Sequence, residues 1–250
     1  MIRYYYTIIR NAKKILSVVK TMDNMIEELK TEPEKYSQEE IYKYAIDNIV
    51  ETMQRTGNIT TKVFGEENLP KEGGYVMYPN HQGKYDVYGI VSAHKEPLTF
   101  VMDIEKSYSI GVTQLVELLK AKRLNKKDNR QGIVVINQVA EEVKQGRKYV
   151  LFPEGAYEGK HPDGLLEFRS GCFKINLKSK VPIVPVVLVN SHLPYNSWYL
   201  GKIVTEVHYL EPMYYEEYKD MTTREIRDVV KTRIANKIAE IKENKKKNKK

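Results

Sequence analysis

His81 and Asp86 are the residues whose types and spacing first suggest chemistry, within the stretch GYVMYPNHQGKYD from Gly74 to Asp86. An imidazole that donates one ring N–H to a carboxylate has a fixed tautomer, and its other nitrogen becomes a base for a hydroxyl proton. A five-residue step does not bring two side chains onto one face of a helix of about 3.6 residues per turn. The pair therefore needs a turn through Gln82 and Gly83 to fold the carboxylate back. The same residues fit a plainer arrangement, in which Asn80 or Asp86 caps a helix and His81 is merely nearby; the spacing alone leaves both open.

A second packet, KYVLFPEGAYEG, supplies Glu154, able to accept from hydroxyls, and Gly155, where backbone approaches a ligand closely. Cations stand between and after the packets. Lys122, Arg123, Lys126, Lys127 and Arg130 cluster, and Arg169 precedes Gly171. Arg169 and Lys127 are the candidates to face a phosphate, and the others read as solvated surface charge.

The elements that must position these groups follow from pattern. Tyr75 to Tyr78 is a short buried strand ended by Pro79, which has no N–H for a ladder. Tyr149 to Phe152 runs into Pro153 in the same way. Further strands are expected over Thr61–Phe64, Leu98–Met102, Ile183–Val189 and Ile203–Tyr209, with a short one at Lys122–Leu124. Helices are expected over Tyr85–His94, Lys106–Leu119, Arg130–Gln145, Gly171–Lys178 and Thr222–Glu243. This alternation predicts an α/β fold with a mixed, largely parallel sheet flanked by helices. Ligands in such sheets sit beyond the carboxyl ends of strands, where both packets fall.

Ahead of the sheet, Met1 to Met22 reads as an amphipathic helix with Ile2, Tyr5, Ile9, Leu16 and Val19 as its apolar positions. A second helix runs from Gln38 to Arg55, with Ser37 as cap and Gly57 as terminator. The two, joined near Pro33, make an N-terminal helical hairpin over residues 1–59, followed by an α/β domain over 60–250. Tyrosines beside Arg and Lys on a helix too charged to span suit a membrane interface, and packing against the rest of the chain is the alternative.

At 250 residues, 41% hydrophobic and 30% charged, the composition is globular. The net charge of +8 lies largely at the two ends, a distribution of solvated tails rather than of a nucleic-acid site. One cysteine and no visible leader indicate a reducing, cytoplasmic compartment. Cys172 reads as a small buried residue, and His161, His192 and His208 show no metal-ligand spacing.

Three motifs in order give a resemblance. Asn80-His81-x4-Asp86, Phe152 to Gly155, and Val181 to Pro185 are similar to the motifs of the glycerolipid acyltransferase family, in its bacterial 1-acylglycerol-3-phosphate acyltransferase branch. The resemblance covers about Thr60 to Leu210. It implies that His81 is a general base assisted by Asp86. It further implies that Asn80, Glu154 and Gly155, with the cations Lys127 and Arg169, bind the acceptor, lysophosphatidic acid. The donor would be acyl-CoA or acyl carrier protein, with no cofactor or metal, at the cytoplasmic face of the membrane. The chain departs from the family pattern at Ala156 and Tyr157, where Thr-Arg is usual, and at Lys126–Lys127, where Asp-Arg is common. Another lysolipid acceptor, or thioester hydrolysis by the same His-Asp pair, are the alternatives.

Overall fold

The computed structural model describes residues 2–109, 111–156, 164–196, 198 and 201–247. Its strands are β1 (Ile59–Phe64), β2 (Tyr75–Pro79), β3 (Leu98–Asp103), β4 (Lys122–Leu124), β5 (Lys148–Val150), β6 (Ile183–Val189) and β7 (Ile203–Tyr209). They form one sheet in the order β1-β7-β6-β2-β5-β3-β4. Strands β2 to β6 run parallel, β7 is antiparallel to β6, and β1 is parallel to β7. The carboxyl ends of β2 to β6 and the starts of β1 and β7 therefore share one edge of the sheet.

Period-two alternation divides the core. Tyr75 and Met77 face one layer and Val76 and Tyr78 the other, all essentially inaccessible to water. Burial of each such side chain stabilises the fold by roughly 1.5–3 kcal/mol. Helices α5 (Asp86–Ala93) and α6 (Val112–Leu118) cover the first face; α7 (Asn129–Lys144), α8 (Lys174–Ser179) and α11 (Thr223–Lys247) cover the second. The short helices α9 (Leu193–Asn196) and α10 (Tyr215–Tyr218) lie in connections.

The N-terminal region departs from a single helix over Met1–Met22. It breaks into α1 (Ile2–Arg10) and α2 (Ala12–Thr31) at Asn11, whose side-chain amide donates to the Thr7 carbonyl at 2.8 Å. Such back-bonding competes with the regular ladder. α2 also runs further than expected because Val18, Met22 and Met25 continue a helical stripe into the core. The second helical run begins at a capping box, with Ser37 Oγ accepting from Glu40 N–H and Glu40 accepting from Ser37 N–H. It comprises α3 (Gln38–Ala45), a π-helical turn at Ile46–Val50 and α4 (Glu51–Gly57), and ends at Asn58 in the left-handed region.

Two other expectations need correction. The helix expected over Lys106–Leu119 starts only at Val112, because Gly111, at φ +82°, breaks the path. β5 leaves the sheet after Val150, short of Phe152, freeing that ring for the site.

Candidate active site

Pro79 ends β2, and the side chain of Asn80 continues the ladder in its place. Asn80 Nδ2 donates to the Leu188 carbonyl at 3.1 Å, and Leu188 N–H donates to Asn80 Oδ1 at 2.7 Å. The main chain is thereby free to turn away from the sheet. Gln82 fixes the turn from the other side, its Oε1 accepting from Ser191 N–H at 2.8 Å.

Asp86 opens α5 and is fully buried. Its Oδ2 accepts from Gln82 N–H at 2.7 Å and Gly83 N–H at 3.0 Å, and lies 2.6 Å from His81 Nδ1. Of the two arrangements left open by the spacing, the structure has the pair: the Asp86 carboxylate holds the ring and organises the turn before α5, and no side chain caps that helix. An oxygen already accepting two amide protons leaves Nδ1 as the donor, so Nε2 is the basic nitrogen. The His81 side chain keeps 18% exposure, enough for a substrate to reach it.

The second packet closes over the first. Phe152 packs against the His81 ring with centroids 4.2 Å apart. Glu154, 5% exposed, accepts from His81 N–H at 2.8 Å through Oε1 and from Leu166 N–H at 2.9 Å through Oε2. Burial pushes its pKa up, against the opposing pull of these two N–H groups. Each oxygen of the Glu154 carboxylate thus holds one main-chain N–H. Gly155 sits at φ +68°, and a Cβ there would lie 3.1 Å from Arg169 Nε. The Arg169 N–H donates to the Pro153 carbonyl at 2.9 Å, holding an exposed guanidinium over the glycine.

The structure therefore gathers Asn80, His81, Asp86, Glu154, Gly155 and Arg169. Lys127 stands apart on the β4–α7 loop, 83% exposed and paired with Glu105 at 3.0 Å. Its neighbours are committed to acids too: Lys126 to Asp103, Arg123 to Glu117 and Lys122 to Glu142. Tyr157 and His161 lie outside the described residues.

Sequence reasoning missed Tyr85 and Lys84. Tyr85 is fully buried, and its hydroxyl bonds Gln54 Nε2 at 2.9 Å and Thr61 Oγ1 at 3.0 Å, tying the His81–Asp86 turn to α4 and β1. Lys84 Nζ lies 5.6 Å from the centre of the Tyr4 ring, a direct link from that turn to α1. Cys172 is half-buried rather than buried. Desolvation pushes its thiol up to about 12, and Sγ donates to the Arg169 carbonyl at 3.0 Å, so little thiolate is available for nucleophilic attack. Among the described residues no three His, Cys, Asp or Glu side chains cluster to hold a metal.

A family model described as Acyltransferase matches residues 60–189, half the chain. The chain belongs to the acyltransferase family. The span that matches the acyltransferase model contains His81, Asp86, Glu154, Gly155 and Arg169, and the N-terminal helices lie before it. The chain is similar to the 1-acyl-sn-glycerol-3-phosphate acyltransferase of Saccharomyces cerevisiae, 29% identical over 134 residues, covering 53% of this chain and 44% of that one. It is 27% identical over 164 residues to a probable 1-acyl-sn-glycerol-3-phosphate acyltransferase of Mycoplasma pneumoniae, covering 64% and 60% of the two chains. The match thus spans about half the length of these relatives. In fold, the chain is similar to the crystal structure of the 1-acyl-sn-glycerophosphate acyltransferase PlsC of Thermotoga maritima, with a TM-score of 0.67 and 21% identity over 94% of this chain and 98% of that one.

Proposed function

We propose that this chain transfers a fatty acyl group from an acyl thioester, acyl-CoA or acyl carrier protein, to the free hydroxyl of lysophosphatidic acid, giving phosphatidic acid. The observation that carries this reading is the His81–Asp86 pair, held at 2.6 Å on a turn inside the span that matches the acyltransferase model. The acceptor is that of the similar 1-acyl-sn-glycerol-3-phosphate acyltransferases.

A glycerol hydroxyl is a weak nucleophile at neutral pH. His81 Nε2 takes its proton as the oxygen attacks the thioester carbonyl carbon, and Asp86 stabilises the resulting imidazolium. As the C–S bond breaks, the imidazolium returns the proton to the departing thiolate, leaving an ester and a free thiol. No covalent acyl-enzyme and no cofactor is required. Arg169, exposed beside Gly155, supplies the cation for the acceptor phosphate in place of the arginine that Tyr157 displaces, and Lys127 stands farther out on the same edge.

The chain works as a peripheral protein on the cytoplasmic face of a membrane, with residues 1–59 as the part that meets the lipid. Among the described residues no helix is long and apolar enough to cross a bilayer. Of the apolar positions in the sequence pattern, Ile2, Tyr5, Ile9 and Leu16 face solvent at 43–74% exposure and Val19 packs against the core, while Arg3 and Thr7 turn inward. An apolar outer face beside Arg10 and Lys13 suits the headgroup region.

The test is acyl transfer from an acyl thioester to lysophosphatidic acid by the purified chain, with His81→Ala and a no-acceptor control. Phosphatidic acid formed by the native chain and lost in the variant is expected. Thioester cleavage without acceptor would make the chain a hydrolase, and transfer only to another lysolipid would change the acceptor.

A further inference from the structure

Trp198, the single tryptophan of the chain, is 72% exposed on the connection between β6 and β7. Tyr195 and Gly201 of this connection are held by consecutive residues of α1. The Tyr195 ring meets the Tyr4 ring edge-on, with centroids 4.9 Å apart, and the Gly201 carbonyl accepts from Arg3 Nη2 at 2.6 Å. Arg3 also donates to the Gly57 carbonyl just ahead of β1, and it is 1% exposed. A buried arginine satisfied by two main-chain carbonyls is a fastening rather than a ligand group. It pins α1 to the starts of β1 and β7, on the sheet edge that carries His81.

We infer that Trp198 is part of the surface this chain lays on a membrane, its indole seated in the interfacial layer beside the outer face of α1. The inference rests on the membrane reading proposed above and adds a second, sequence-distant segment to it. Indoles prefer the headgroup level, where one end is apolar and the N–H is wet. Tyr5, Tyr6 and Ile9 stand exposed on the neighbouring helix. The occupant is an anionic lipid surface rather than a protein patch, because the first twenty residues hold Arg10, Lys13, Lys14 and Lys20 besides Arg3 and no acid, and Lys202 follows Gly201.

The lone tryptophan is its own reporter. The full chain is mixed with vesicles of phosphatidylcholine alone and of phosphatidylcholine with phosphatidylglycerol, the latter also prepared with acyl chains brominated near the headgroup. Binding is followed by co-sedimentation and by tryptophan emission. On anionic vesicles the emission is expected to move to shorter wavelength and to be quenched by the brominated lipid. Trp198→Ala is expected to weaken partitioning on the order of ten-fold, the scale for withdrawing an aromatic side chain partly from water, with turnover on detergent-dispersed acceptor unchanged. Sedimentation with unshifted, unquenched emission would overturn this inference and leave the membrane reading standing. Absence of sedimentation with either vesicle would remove both. Emission already blue-shifted without lipid, in proportion to protein concentration, would give the surface to a second copy of the chain and overturn the inference as well.

Discussion

Glu154 holds the backbone of His81 and not its ring: the His81 N–H donates to Glu154 Oε1 at 2.8 Å, while Nδ1 is left to Asp86. The other oxygen holds Leu166 N–H at 2.9 Å, so one carboxylate joins the His81–Asp86 turn to the segment that leads to Arg169. Replacement Glu154→Gln puts an NH2 against one of two buried N–H donors. We expect a stability loss of about 1–3 kcal/mol, the cost of an unsatisfied buried donor, together with a fall in kcat that exceeds any rise in acceptor KM. Steady-state kinetics beside chemical denaturation tests this; a change confined to KM would return Glu154 to direct acceptor binding.

Asp86→Asn is expected to be nearly as damaging as loss of the base. An asparagine keeps one acceptor for the turn but cannot stabilise an imidazolium, and its NH2 would favour the wrong ring tautomer. A kcat lower by roughly a hundred-fold or more follows from the usual worth of an oriented general base. The measurement is the rate with saturating donor and acceptor, and retention of a tenth or more of the native rate would refute the pairing.

Arg169 and Lys127 should separate cleanly. Arg169→Ala is expected to raise the KM for a phosphate-bearing acceptor about ten-fold or more, as loss of a charge-assisted contact does. Lys127→Ala, which removes an exposed ammonium from Glu105, is expected to change it by less than about two-fold. Comparable effects from the two variants would place the phosphate between them.

On the far side of the sheet, Glu206 accepts from His208 at 2.9 Å and pairs with Lys245 at 2.8 Å. The His208 hydrogen bond foremost, and Lys245 after it, depress the Glu206 pKa from 4.5 to about 2 against the opposing effect of burial. A carboxyl depressed on folding contributes stability that is fully present above its unfolded pKa and is lost as pH falls through its folded value. Glu206→Gln should therefore flatten the loss of stability between pH 4.5 and about 2, a difference readable from denaturant midpoints across that range.

Most of the strand framework was legible because Pro79 and Pro153 end buried apolar runs, and because β-branched runs such as Ile183–Val189 have no helical alternative. The His81–Asp86 geometry was legible as one of two arrangements, and only the main-chain donors of Gln82 and Gly83 show how the turn brings the carboxylate back to the ring. The main-chain role of Glu154 was not legible, since a sequence displays side chains and its partners are the backbone N–H groups of His81 and Leu166. Tyr85 gave no signal, since its partners Thr61 and Gln54 are 24 and 31 residues away. The apolar positions of α1 were legible, but nothing in the pattern marked Arg3 as the buried fastening.

The parallel pairing of β1 with β7 bears on the order in which the chain assembles. Thr61 Oγ1 meets Thr205 Oγ1 at 3.0 Å across 144 residues of sequence, and Arg3 waits for a carbonyl 198 positions downstream. Contacts of such separation close late, after the entropy of the long intervening loop has been overcome. During synthesis α1 therefore leaves the ribosome long before β7, and its docking is not complete until β7 is in place. Nascent chains arrested before Ile203 should leave α1 open to protease, and chains arrested well beyond Tyr209 should protect it.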